Sequence, residues 1–156
     1  MGKINGVVTG QVVSRDDPDQ QGRVQVSLPY LGGQNQSSWA PVATMMSGGN
    51  RGSWFMPEVG DEVLVAFNQD DVAHPYIIGF LWNGQDAPPD PDPQNRMILT
   101  PGGHTLRFQD ADGSKKVILQ SSTGQTVTLD DSGTGSITLQ GGGRILTMSN
   151  GLVQIS

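Results

Sequence analysis

The feature that most constrains this chain is a run of thin, evenly spaced apolar pairs in its second half. Pairs at i, i+2 fall at Leu106/Phe108, Val117/Leu119, Val127/Leu129, Ile137/Leu139, Leu146/Met148 and Val153/Ile155, with first members 11, 10, 10, 9 and 7 residues apart. Alternation with period two puts both members of a pair on one face of a short strand. Between pairs the chain runs through Gly, Ser, Thr, Asp and Asn, as in "LQSSTGQTVTLDDSGTGSITLQ", which are turn residues. The spacing predicts an antiparallel meander of six strands with one apolar face. Two apolar side chains per ten residues bury too little area to offset the entropy of ordering those ten. Such a face needs a partner. Three copies around a common axis would make a triangular prism filled by the inward pairs, with Thr, Gln and Ser facing water. A single-chain sandwich is the other way to cover it.

The first half is built differently. Strands are expected at 5–14, 22–28, 38–43, 62–68 and 75–80, parted by the breaker-rich turns "DDPDQQG", "LGGQNQ", "SGGNRG" and "PEVGD". In "GRVQVSL" the residues Val24, Val26 and Leu28 share a face, and in "DEVLVAF" so do Val63, Val65 and Phe67. Five strands in this length fit a small closed barrel, which leaves no open edge. Between the halves lies "APPDPDPQN", with four of the ten prolines, a stiff spacer. The organisation expected is a barrel over 1–86, a linker over 87–95 and the repetitive β segment over 96–156. Glycine, 22 of 156 residues, supplies turns rather than a collagen repeat.

Charge and composition exclude several functions. Residues 1–94 carry 11 acidic and 4 basic side chains, a net of −7, and residues 95–156 carry 4 and 5, a net of +1. An acidic first half argues against nucleic acid as a partner. The absence of cysteine removes disulfides, thiolate metal sites and cysteine nucleophiles. No apolar run reaches the roughly 18 residues of a membrane span, and "MGKINGVVTG" has neither a secretory core nor a myristoylation pattern, so assembly in the cytoplasm is expected.

No set of residues makes a convincing catalytic or metal site. His74 and His104 stand one in each half, too few and too far apart for a zinc set. Asp16, Asp17 and Asp19, or Asp70 and Asp71, invite a calcium reading, but "DDPDQQG" lacks the glycine and glutamate of an EF-hand loop and reads as a hairpin turn. Glu58 with Asp61 and Glu62 offers carboxylates of the kind glycosidases use, yet in a turn entering a strand. Neither a catalytic residue nor a cofactor is expected. Trp39, Trp54, Phe55 and Trp82 are expected in the core or at interfaces rather than on sugars or bases, with Trp54–Phe55 the best contact for another subunit. The glycine-rich stretch 47–52 beside them is expected to be a flexible loop that orders on assembly.

The segments "GVVTGQVVSRDDPDQQGRVQVSLPYL" and "SWAPVATMMSGGNRGSWFMPEVGDEVLVAFNQDDVAHPYIIGFLWNGQDAPP" resemble the OB-fold domain of phage baseplate spike proteins and type VI secretion VgrG proteins. The resemblance rests on "DPDQQGRVQV", "WAPV", "GSWFMPEVGDEVLV" and "PYIIG", in the family's order and spacing. It implies an all-β chain: a five-stranded OB barrel followed by an intertwined trimeric β-helix or β-prism. It further implies a homotrimeric, non-enzymatic spike of a contractile injection system, sited in a virion tail baseplate or injection particle. Such a spike docks on a hub and pierces the target cell envelope when the sheath contracts. VgrG chains carry a hub region before this domain and some phage spikes a lysozyme domain after it. Here the resemblance implies a separate hub protein, with Trp54 and Phe55 as the contact. No His-x-His iron site follows His104, so a PAAR-type tip protein is expected on Leu152, Val153 and Ile155. A carbohydrate-binding or polysaccharide-degrading β-module is the alternative reading.

Overall fold

The computed structural model describes residues 6–31 and 36–156. Residue 5 of the first expected strand and residues 32–35 of the expected turn "LGGQNQ" lie outside the described residues. Those described form fourteen strands and no α-helix, as the abundance of Val, Ile and Thr and the many breakers require. The chain divides into two compact units, Met1–Ala87 and Pro88–Ser156.

In the first unit a five-stranded sheet runs β3 (Ala40–Pro41), β2 (Arg23–Ser27), β1 (Val7–Ser14), β6 (Glu62–Asn68) and β7 (Asp71–Phe80). Its two outer strands meet through a parallel bridge between Val42 and Ile77 and a 2.8 Å bond from the Ala43 N–H to the Ile77 carbonyl. The circuit β1-β2-β3-β7-β6-β1, with one parallel contact, is that of an OB-type barrel. Its interior is Val12, Val24, Val26, Leu28, Ala40, Val63, Val65 and Ile77, all buried. Val24, Val26 and Leu28, and Val63 and Val65, therefore point inward together, and Phe67 packs against them partly buried.

Two local features differ from the expectation. Residues 47–52 are not an unstructured loop: β4 (Ser47–Gly48) and β5 (Arg51–Gly52) pair as a hairpin, with Asn50 in the left-handed region at its turn. β7 also starts earlier than expected, at Asp71, because Gln69 and Asp70 both adopt positive φ (50° and 63°) between the paired Asn68 and Asp71. Two left-handed central residues make the type I′ turn that matches strand twist.

The second unit is one sheet of seven strands in simple sequence order. They are β8 (Asn95–Leu99), β9 (Thr105–Gln109), β10 (Lys116–Gln120), β11 (Thr126–Asp130), β12 (Ser136–Gly141), β13 (Arg144–Ser149) and β14 (Leu152–Ile155), each antiparallel to the next. Six were expected; β8 was not. The β13–β14 turn is Asn150–Gly151 with φ of 51° and 73°, again the type I′ geometry. The proline-rich stretch is tied to its own sheet: Asp90 accepts from Asn95 Nδ2 at 3.0 Å and stands 3.2 Å from Arg107 Nη2.

Candidate functional site

Strand register turns the sequence pairs into two continuous columns on one face. Directly opposite residues in antiparallel strands share a face. One column runs Ile98, Leu106, Leu119, Val127, Leu139, Leu146, Ile155. The other runs Arg96, Phe108, Val117, Leu129, Ile137, Met148, Val153. All twelve paired residues picked from the sequence lie in these columns. The reverse face carries a ladder of Thr128, Thr138 and Thr147, and the cross-strand ion pair of Lys116 with Asp130 at 2.9 Å. Asp130 is held down at about 2, first by the Ser132 hydroxyl and then by Lys116.

Among the described residues of its own unit, nothing covers the apolar face. Among the described residues of the second unit not one is buried, while Leu119 is 55% and Leu139 40% exposed. Leu119, Val127, Leu139, Leu146 and Ile155 line a groove of about 780 Å³ along one column. Exposed apolar patches this continuous mark an interaction surface. Val153 and Ile155, which end the two columns on the last strand, are 67% and 69% exposed, and Leu152, on the reverse face opposite Ser149, is 72% exposed.

In the first unit the aromatics gather outside the barrel. Trp54 (73% exposed), Phe55 and Trp82 are all on the surface, and Trp39 is half-buried, so none of them builds the core. Trp54 and Phe55 line a hollow of about 630 Å³ with Met46, Met56 and Arg51, beside the β4–β5 hairpin. The indole of Trp54 lies across Gly22: a Cβ there would stand 2.6 Å from the ring, and the φ of +72° also favours glycine.

Gly22 belongs to a loop in which Asp17, Asp19 and Arg23 engage one another. The Asp17 carboxylate accepts the N–H groups of Asp19, Gln21 and Arg23 at 3.1, 2.8 and 3.2 Å. The Arg23 fork grips the same carboxylate at 3.0 and 2.6 Å and reaches Asp19 at 2.6 Å. The Arg23 bonds, more than the backbone donors, hold Asp17 far below the usual carboxylate range. Asp17 and Asp19 brace a turn. A depressed carboxyl contributes stability that is present above its unfolded value of roughly 4 and lost as pH falls through the folded value. Asp17→Asn is therefore expected to lower the melting temperature of the barrel at neutral pH and to flatten its decline below about pH 4; parallel declines in both proteins would refute this.

Glu58, Asp61, Asp71, His74 and His104 also have local partners. Glu58 pairs with Arg15 at 2.6 Å and Asp61 accepts the Glu58 N–H at 2.8 Å. Asp71 lies below its ordinary value, first through the Ala73 N–H and then through His74, whose Nδ1 is 2.9 Å away. His104 Nδ1 accepts the Ser122 N–H at 3.2 Å. Among the described residues no group of three or more His, Asp or Glu is placed to hold a metal, and no helix is long and apolar enough to cross a membrane.

An OB-type barrel followed by a single sheet with an open apolar face defines an assembling structural module. The comparisons give its family. Residues 8–82 match the type VI secretion system/phage-baseplate injector OB domain, and residues 95–156 match the phage baseplate V C-terminal trimerisation domain. The chain belongs to this phage-baseplate and VgrG-like injector family. It is similar to the type VI secretion system spike protein VgrG5 of Pseudomonas aeruginosa, 32% identical over 134 residues, covering 78% of this chain and 17% of that protein. It is also similar to the spike protein VgrG3 of Vibrio cholerae, 30% identical over 115 residues, or 66% of this chain and 11% of that one. A third relative is named an actin cross-linking toxin, VgrG1 of Vibrio cholerae, with 30% identity over 66% of this chain and 10% of its own length. The chain thus spans less than a fifth of the length of these relatives.

Proposed function

We propose that the chain is the structural central spike of a contractile injection machine, a phage tail baseplate or a related particle, and works as a homotrimer. The observation that carries this reading is the uncovered two-column face, lying wholly within the residues that match a trimerisation domain. Three such sheets turned inward give a dry core made of Leu106, Phe108, Val117, Leu119, Val127, Leu129, Ile137, Leu139, Leu146, Met148, Val153 and Ile155. The role is mechanical, not catalytic. Each strand of the shaft between β8 and β14 is held by ladder hydrogen bonds on both sides, and shearing one layer breaks these while exposing apolar pairs on every chain.

In this reading the barrels form a collar on a hub protein, with Trp54 and Phe55 as the contact, since large exposed aromatics beside a hollow are what interfaces favour. The open end at Leu152, Val153 and Ile155 receives a PAAR-like tip protein. The particle assembles in the cytoplasm and meets the target envelope only on firing. The test uses assembled particles: Trp54→Ala/Phe55→Ala is expected to leave spike trimers intact but reduce their incorporation by tenfold or more, the loss of a binding hot spot of about 2 kcal/mol or greater. Unchanged incorporation would reject the contact. Binding of the same aromatics to a glycan by a monomeric chain would favour a carbohydrate-binding module instead.

A further inference from the structure

The two columns contain a single charged member. Arg96 stands directly opposite Phe108 and therefore on the apolar face. Its Nη1 donates to Asp110 Oδ2 at 2.6 Å and to the Gln94 carbonyl at 2.9 Å. The pair projects from the same face as the aliphatic columns, at the first-strand end of the sheet.

The rest of that face is nearly self-similar. Sliding one sheet past another by two strands, about 9.5 Å, preserves strand direction. It sets Leu129 level with Met148, Val127 with Leu146 and Val117 with Ile137. Apolar contact is non-directional and separates these arrangements poorly, so the repeat that makes the face sticky leaves its register loosely specified. The Arg96–Asp110 pair is not self-similar. In register, guanidinium and carboxylate groups of all three chains come to one level and can satisfy one another across the axis. Two strands out of register, Arg96 meets the apolar Val117 of a neighbour in place of another chain's Arg96–Asp110 pair.

We propose that the Arg96–Asp110 pairs of three chains form one charged layer that sets the register of the assembled shaft. This rests on the trimer reading above, and the partner is a second and third copy of this chain. A polar layer that costs some stability while selecting one alignment is the best-attested use of buried charge in repetitive apolar interfaces.

The chain has no cysteine, so introduced thiols report alone. Leu129→Cys and Met148→Cys lie two strands apart in one column. Full-length chains carrying each are co-expressed with different tags and treated with a short thiol cross-linker. In the native background links form between chains at the same level, with no Leu129-to-Met148 product between differently tagged chains. In Arg96→Leu/Asp110→Leu the protein is expected to stay trimeric and the offset product to rise to the yield of the same-level one. Arg96→Asp alone, which sets carboxylates against carboxylates, is expected to shift the yield the same way. The exchanged pair Arg96→Asp/Asp110→Arg restores same-level links only. Same-level links alone in every trimeric variant would overturn the proposal and leave the trimer standing. A native chain that sediments as a monomer would remove both.

Discussion

Leu139→Asp is expected to take the assembly apart into single chains. Leu139 sits mid-column between Val127 and Leu146, with 40% of its surface open in the isolated chain and all of it facing the axis in a trimer. Three carboxylates at one level pay both desolvation and mutual repulsion, several kcal/mol per chain. Two features make the result diagnostic. Thr138→Asp, one residue away on the opposite face, is expected to change stability by no more than about 0.5 kcal/mol and to leave assembly intact. A carboxyl forced into the core also has its pKa raised, so Leu139→Asp should regain assembly as the pH is lowered toward about 5. Sedimentation of the two variants at two pH values checks all three statements.

The second large effect is expected inside the barrel. Ile77 is fully buried, pairs across β6 with Val65, and lies where the outer strands meet: its carbonyl accepts the Ala43 N–H and its backbone bridges to Val42. Ile77→Ala leaves a cavity at this junction and is expected to cost about 2–5 kcal/mol. For a unit of this size that is a fall in melting temperature of roughly 10–30 °C. The shaft has its own interface in the trimer reading, so the variant should lose barrel folding while remaining associated. Loss of both together would mean that the two units depend on one another.

How much of this was legible in the sequence follows from how each element stores its information. Six of the seven levels of the shaft columns were legible because each of those strands states its facing pair at i, i+2 and the turns carry breakers. β8 was missed because Arg96 takes the place of an apolar residue in the pair Arg96/Ile98 and because prolines run up to Gln94. The exception to the pattern is the charged position Arg96, paired with Asp110. β4 and β5 are dipeptides of Ser, Gly and Arg, with no periodicity to read. The early start of β7 was hidden because its type I′ turn uses Gln69 and Asp70 rather than the usual Asn-Gly.

The candidate surfaces divide in the same way. Trp54 and Phe55 stood out as large apolar residues in a turn-rich stretch, and they are on the surface. That Trp54 rests on Gly22 could not be read, since the contact is made by two loops remote in sequence. The carboxylates of "DDPDQQGR" read as a turn, and the spacing that puts Arg23 six residues after Asp17 lets its fork close on the carboxylate that already caps the loop.

The measurement that tests the central claim most directly is the solution mass of the whole chain by sedimentation, before and after warming in mild detergent. The account predicts one species at three times 16.6 kDa that resists dissociation. A 16.6 kDa monomer would mean that the open face is covered some other way, and would contradict the trimeric spike.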